Sequence, residues 1–108
     1  MQQDVENEPE GRCEPAYSLI RRLGGYAEVA AMVRRHGICQ ARAMNRSGVY
    51  RWQMPREAGG QAGVIPAKHW AALIKGGAEI GVKVTVWDLS PRVAEALEQA
   101  EQSRAQEA

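Results

Sequence analysis

Glycine and proline cut this chain into pieces that suit only short helices. Gly24-Gly25, Gly37, Pro55, Gly59-Gly60, Gly63, Pro66, Gly76-Gly77 and Pro91 leave apolar stretches of a few helical turns between them. Both residue types end or bend regular structure, so neither a long helix nor a wide sheet fits this spacing. The chain has 108 residues, enough for one small domain. No apolar run approaches the roughly 18 residues of a membrane span. The segment Met1 to Glu14 is acidic and polar, unlike a secretory signal or an Arg-rich transit peptide, which makes the cytoplasm the expected location.

The pieces read as helices one after another. Pro15 suits a first helical turn, where its missing donor costs nothing. Leu19, Ile20 and Leu23 then share a face until Gly24-Gly25 stops the segment, so the first helix is expected over 15–23. Tyr26 to His36 has no breaker, aligns Val29, Ala30 and Val33, and carries Arg34 and Arg35 in its last turn, where cations complement the helix dipole. Asn45 or Ser47 can cap a third helix bearing Val49 and Trp52 as an i,i+3 apolar pair. Gly48 costs that helix about 1 kcal/mol relative to alanine, so it must lean on the packing of Val49 and Trp52.

Gln53 to Val64, with its proline and three glycines, reads as a mobile loop. Pro66 opens a fourth helix to Gly77 or Ile80, with Trp70, Leu73, Ile74 and Ile80 as its expected buried stripe and Gly76-Gly77 as its weak point. Val82, Val84 and Val86 alternate as a strand would, but Thr85-x-x-Asp88 is a capping-box pattern for a short helix before Pro91, and helix is the preferred reading. Residues 91–105, with Val93, Leu97 and Ala100, read as a weak helix that either pairs with a partner or frays. The expected fold class is all-α, a compact bundle of four to five short helices. Residues 1–14 are expected to be a disordered acidic N-terminal tail, 15–90 the folded domain, and 91–108 an acidic C-terminal tail, helical or disordered.

The net charge of +1 hides a strong segregation. Residues 1–16 carry Asp4, Glu6, Glu8, Glu10 and Glu14 against Arg12 alone. Residues 17–56 carry Arg21, Arg22, Arg34, Arg35, Arg42, Arg46, Arg51 and Arg56 against Glu28 alone. Residues 57–89 balance, and residues 90–108 turn acidic again through Glu95, Glu98, Glu101 and Glu107. A basic body between acidic tails is the electrostatic footprint of a polyanion partner. Every cation in the basic stretch is arginine, whose planar fork grips a phosphate or a guanine edge with two bonds. The alternative reading of the same charges is a solvated face with no partner.

Catalytic and metal chemistry find little support. Cys13 and Cys39 make no disulfide scaffold, and His36 with Cys39 is the only near pair of ligand type, short of the four ligands a zinc site needs. Paired carboxylates and a nucleophile flanked by a base are missing from the basic stretch. Gly59-Gly60-x-x-Gly63 has no strand before it and no Lys-Ser/Thr after it, unlike a phosphate loop. No enzyme and no cofactor are expected.

Short helices joined by tight turns, with arginines on the surface, suit a helix-turn-helix, whose second helix packs one face on the domain and reads base edges with the other. Three stretches resemble the small Cro/CI-type helix-turn-helix proteins of bacterial and prophage genomes, including the antitoxin-like branch related to the YdaS group. They are Leu23-Gly24-Gly25 with Ala27-Glu28-Val29-Ala30, then Arg46-Ser47-Gly48-Val49-Tyr50-Arg51-Trp52, then Gly63-Val64-Ile65-Pro66-Ala67-Lys68-His69-Trp70. The first is similar to the approach to the family's second helix, the next to its recognition helix, and the last to its Ile-Pro-Ala-x-His start of the following helix. The stretches lie between Leu23 and Trp70, and the resemblance runs over about 19–89 with both tails outside. The resemblance implies a lambda-repressor-like bundle, sequence-specific binding of double-stranded DNA, and a small repressor acting as a homodimer. One departure is that Val29 to Val49 runs about nine residues longer than the compact motif. Either 26–36 is its first helix and 37–45 an enlarged turn, the preferred register, or Ile38 to Arg42 is that helix and Ala43 replaces the turn glycine.

Both registers keep the same recognition helix. Arg46, Ser47, Tyr50 and Arg51 are the candidate base or near-base contacts, and Asn45 stands where either a cap or a base contact fits. Arg42 and Arg56 are candidate phosphate contacts, and Lys68 a weaker one. Trp52 and Trp70 are expected in the core, Tyr26 half-buried, and His69 on a helix surface or at a cap. Two further functions remain open: an antitoxin-like module that binds a protein partner through 91–108, and a binder of RNA or single strands, disfavoured by the shortage of stacking aromatics.

Overall fold

The turn at Gly24-Gly25 sets the course of the chain. Both glycines take positive φ, 108° and 104°, a region that L side chains avoid, and the Gly25 N–H returns to the Ile20 carbonyl at 2.9 Å. The computed structural model describes residues 12–37 and 44–107. The turn joins helix α1 (Ala16–Arg22) to α2 (Tyr26–His36), and α3 (Arg46–Trp52), α4 (Trp70–Glu79), α5 (Val86–Leu89) and α6 (Pro91–Glu107) follow. Two single 3-10 turns, Arg56–Ala58 and Ala67–His69, lie between α3 and α4. The described residues are all-helical and contain no strand. With six helices among them, the architecture exceeds the expected four to five, because α5 and α6 both form.

Helix α2 is the central element, packed against both α3 and α4. Its Val29, Ala30, Met32 and Val33 are buried together with Leu19, Ile20 and Leu23 before it, Val49 and Trp52 of α3, and Leu73 of α4. Ile65, Val84 and Leu89 close the core. Without phenylalanine, the largest side chains it buries completely are leucine, isoleucine and methionine.

Three features differ from the sequence reading. Helix α4 runs through Gly76-Gly77, and these glycines with Ala72 and Leu73 form its buried face, leaving Ile74 and Ile80 exposed at 44% and 52%. The glycines let α2 and the 82–84 segment come closer than a side chain would permit, and Leu73 of the expected stripe is buried beside them. Trp70 is half-buried, and its indole N–H donates to the Ile65 carbonyl at 2.7 Å. Second, the glycine-rich loop after α3 is knitted in place: Gln61, Ala62 and Gly63 donate to the carbonyls of Arg51, Met54 and Trp52. Third, Arg12 to Glu14 belong to the folded body, since the Cys13 N–H donates to the Gln53 carbonyl at 2.6 Å. The rest of the expected N-terminal tail lies outside the described residues.

The capping box at Thr85 forms as its sequence implies. The Thr85 N–H donates to Asp88 Oδ2 at 2.9 Å, and the Thr85 hydroxyl accepts from the Asp88 N–H, which resolves the valine alternation in favour of helix. Burial pushes the Asp88 carboxyl up, but hydrogen bonds from Arg22 and Thr85 outweigh it and hold the group below its ordinary value. Helix α6 then leaves the body: Ala94 is buried, while every residue from 95 to 106 is exposed. Among the described residues, no helix is long and apolar enough to cross a membrane.

Candidate nucleic-acid interface

Helix α3 stands on the domain by one face. Val49 is fully buried and Trp52 is 3% exposed, whereas Arg46, Ser47 and Arg51 are exposed and Tyr50 is half-buried. Asn45 fixes its start: the backbone there is extended and the Asn45 Oδ1 accepts from the Gly48 N–H at 3.0 Å. The Asn45 side chain is therefore a helix cap. Replacing it with alanine is expected to cost about 1 kcal/mol, and Asn45→Ser should keep most of that stability. Thermal unfolding of the two variants checks this.

The seven-residue helix presents Arg46, Ser47 and Tyr50 to a shallow cleft of about 250 Å³ completed by Tyr26 of α2. Tyr26 and Tyr50 meet edge to face, with ring centroids 5.6 Å apart. Tyr26 is half-buried, as expected, and its hydroxyl accepts from Gln53 Nε2 at 2.8 Å. Arg12 completes this cluster. Its guanidinium sits 4.9 Å from the Tyr50 centroid and 5.8 Å from that of Tyr17. Its two terminal nitrogens donate to the Tyr26 and Tyr50 hydroxyls at 3.1 and 3.4 Å. Such stacking contributes about 0.5–1 kcal/mol at exposed sites. Because Arg12 occupies an acceptor position on the Tyr50 hydroxyl, that group keeps its own proton to offer, which suits an acceptor-only phosphate.

The structure sorts the arginines of the basic stretch. Arg22 pairs with Asp88 at 3.0 Å and also donates to the Lys83 carbonyl. Arg35 pairs with Glu79 at 3.1 Å, and His36 Nε2 lies 2.9 Å from the same carboxylate. The hydrogen bond from His36, then that from Arg35, hold the Glu79 carboxyl below its ordinary value. Arg34 donates to the Met44 carbonyl at 2.8 Å and so ties the end of α2 to the approach to α3. These cations serve the architecture. Arg46, Arg51 and Arg56 make no ion pair with the described carboxylates, and all three are exposed.

Of the residues singled out from sequence, Arg46, Ser47 and Tyr50 come together at one cleft. Arg51 is exposed on the same helix, and Arg56 lies on the turn Arg56–Ala58, in the loop held to the end of α3. Lys68 is exposed on the turn Ala67–His69, apart from the residues that line the cleft. Arg42 and the Ile38 to Arg42 register lie outside the described residues. The helix expected over 26–36 is present as α2, as either register allows. Sequence reasoning missed Arg12 and Tyr17. The signal available was a lone arginine among acids just ahead of the first helix, but its partners stand 14 and 38 positions away.

His69 corrects part of another expectation: it stands at the N-cap position of α4, but its side chain makes no capping hydrogen bond and is buried at 3% exposure instead of lying on a helix surface. Its ring lies 5.4 Å from that of Trp52, and its Nδ1 has no hydrogen-bond partner among the described residues. Burial, helped by the nearby Lys68 charge, pushes its pKa below the ordinary 6.5. The folded state therefore binds a proton at His69 less readily than the unfolded chain, which takes one up once pH falls below about 6.5. Stability is expected to be full above that value and to fall as pH drops through the lowered pKa. Melting temperatures across pH should show this step, and His69→Leu should flatten it. The chain as a whole matches no family model, no curated protein and no solved structure.

Proposed function

We propose that this chain is a sequence-specific double-stranded DNA-binding protein of the cytoplasm, a small repressor acting as a homodimer, with α3 as its reading helix. One observation carries the reading. The exposed side of α3 keeps Arg46 and Arg51 without carboxylate partners among the described residues, while Arg22 and Arg35 elsewhere on the basic stretch are neutralised. Guanidinium forks, a hydroxyl and a phenol on one helix face are the side chains that bind guanine edges and phosphates. Val49 and Trp52 seat the opposite face in the core and hold the helix out. A helix of seven residues spans only a few base pairs, so useful specificity calls for two half-sites and hence two copies.

Selection from random duplexes tests this reading. Enrichment of a near-palindromic site with half-sites about 10 base pairs apart is expected. Failure to enrich any sequence would contradict it. The N-terminal acids enter through charge alone. A chain beginning at Arg12 loses Asp4, Glu6, Glu8 and Glu10 but keeps Cys13 bonded to Gln53. It should bind non-specific duplex more tightly than the full chain at low salt, which titration of both chains would show.

The exposure of α6 from residue 95 onward favours a second reading, an antitoxin-like module whose DNA binding is secondary. A chain ending at Ser90 would then lose its protein partner and keep its affinity for duplex.

A further inference from the structure

Two unpaired features of the structure complement each other. The first is an apolar groove of about 370 Å³ along the outer side of α4 and the segment that follows, lined by Ile74, Ala78, Gly81, Val82, Lys83 and Val84. Ile74 opens into it at 44% exposure, and Lys75 is exposed on the same helix. Neither the Lys75 nor the Lys83 ammonium has an ion-pair partner among the described residues. The groove is thus mostly apolar in its lining, with Lys83 as its one lining cation and Lys75 next in sequence to Ile74.

The second feature is α6. From residue 95 to 106 every residue of α6 is exposed, and the Trp87 indole N–H donates to its Glu98 carboxylate at 3.2 Å. Val93 and Leu97 stand one turn apart, 38% and 53% exposed, and Ala100 continues their stripe. Glu95, Glu98 and Glu101 flank the stripe. Most helical stability in proteins comes from packing of an amphipathic face, and the projecting part of α6 has no such packing from residue 95 to 106. Its own groove does not supply any, since no α6 residue lines it.

We propose that the groove along α4 seats helix α6 of a second copy of this chain, and that the exchange is reciprocal. Val93, Leu97 and Ala100 of each copy cover Ile74, Ala78 and Val82 of the other, and the glutamates on α6 face Lys75 and Lys83. A two-fold axis makes both seats identical, so each dimer buries two grooves and two helices. The proposal gives the homodimer proposed above its interface and does not depend on DNA.

Sedimentation of the full chain without DNA tests it through charge reversal. The wild type is expected to dimerise. Lys75→Glu/Lys83→Glu should weaken self-association by about 100-fold, and Glu95→Lys/Glu101→Lys should do the same, because like charges then face each other. An equimolar mixture of the two variants should dimerise again, since both seats regain opposite charges. All four positions are exposed, so circular dichroism should report unchanged helix content. A groove variant that self-associates like wild type would overturn the proposal in favour of pairing through α6 alone. A monomeric wild type would overturn it in favour of a foreign partner for α6. Binding of the Lys75→Glu/Lys83→Glu monomer to a half-site duplex at low salt reports the DNA reading separately.

Discussion

The double substitution Arg46→Ala/Arg51→Ala is expected to weaken duplex binding by about 30- to 10⁴-fold while leaving the fold intact. A well-made arginine contact to a base edge is worth about 1–3 kcal/mol, and two of them multiply to that range. If either arginine holds a phosphate instead, the loss is uniform across sequences and the salt dependence drops by about one unit per residue. Both side chains are exposed and without carboxylate partners among the described residues, so the melting temperature should hold, as surface changes away from special contacts stay within about 0.5 kcal/mol. Arg22→Ala/Arg35→Ala is the matched control. It removes the same charge but breaks the pairs with Asp88 and Glu79, so it should lower stability slightly and spare most of the affinity. Fluorescence anisotropy on a common duplex, with thermal melts alongside, distinguishes the two outcomes.

Gly77→Ala should destabilise the protein, against the usual direction for a helix interior. Helix propensity alone favours alanine over glycine by about 1 kcal/mol. The Cβ added at Gly77, however, would stand 2.7 Å from the Val82 carbonyl oxygen and 2.8 Å from Val84 Cγ2. That carbonyl is backbone, on a residue whose N–H is itself bonded to the Gly77 carbonyl at 2.8 Å, so it cannot give way without opening the turn. Overpacking of this kind costs about 1–3 kcal/mol, and in a domain of this size each kcal/mol moves the melting temperature by about 4–8 °C. Gly76→Ala meets the Met32 side chain at 2.7 Å instead, and a methionine can shift, so its loss should be smaller. A raised melting temperature for Gly77→Ala would contradict the packing described for α4.

The same glycines show where sequence patterning reaches its limit. Periodicity located α1, α2 and α3 well, because each has a stop or cap of its own: Gly24-Gly25, Gly37 and Asn45. It placed half of the α4 stripe, since Leu73 is buried and Trp70 half-buried, but hydrophobicity also favours Ile74 and Ile80, which stand exposed because the approach of α2 and the 82–84 segment favours residues without bulk. That approach is a property of the tertiary structure and leaves no periodic trace. The outward face of α3 was legible from the spacing of Val49 and Trp52 alone. Arg12 was not, because its place depends on Cys13 pairing with Gln53 and on tyrosines contributed by three helices. Nor was the division of the arginines, which depends on Asp88 and Glu79 folding back from the far half of the chain.

The central claim is that this basic face binds duplex DNA through its phosphates and bases. The most direct test is the equilibrium affinity of the full chain for a random-sequence duplex at about 50 mM and about 200 mM salt. Tight binding at the lower salt that weakens by about 10³-fold or more at the higher is expected for a protein neutralising several phosphates. Absence of binding at low salt, or binding indifferent to salt, would contradict the account and leave the face of Arg46 and Arg51 to a protein partner.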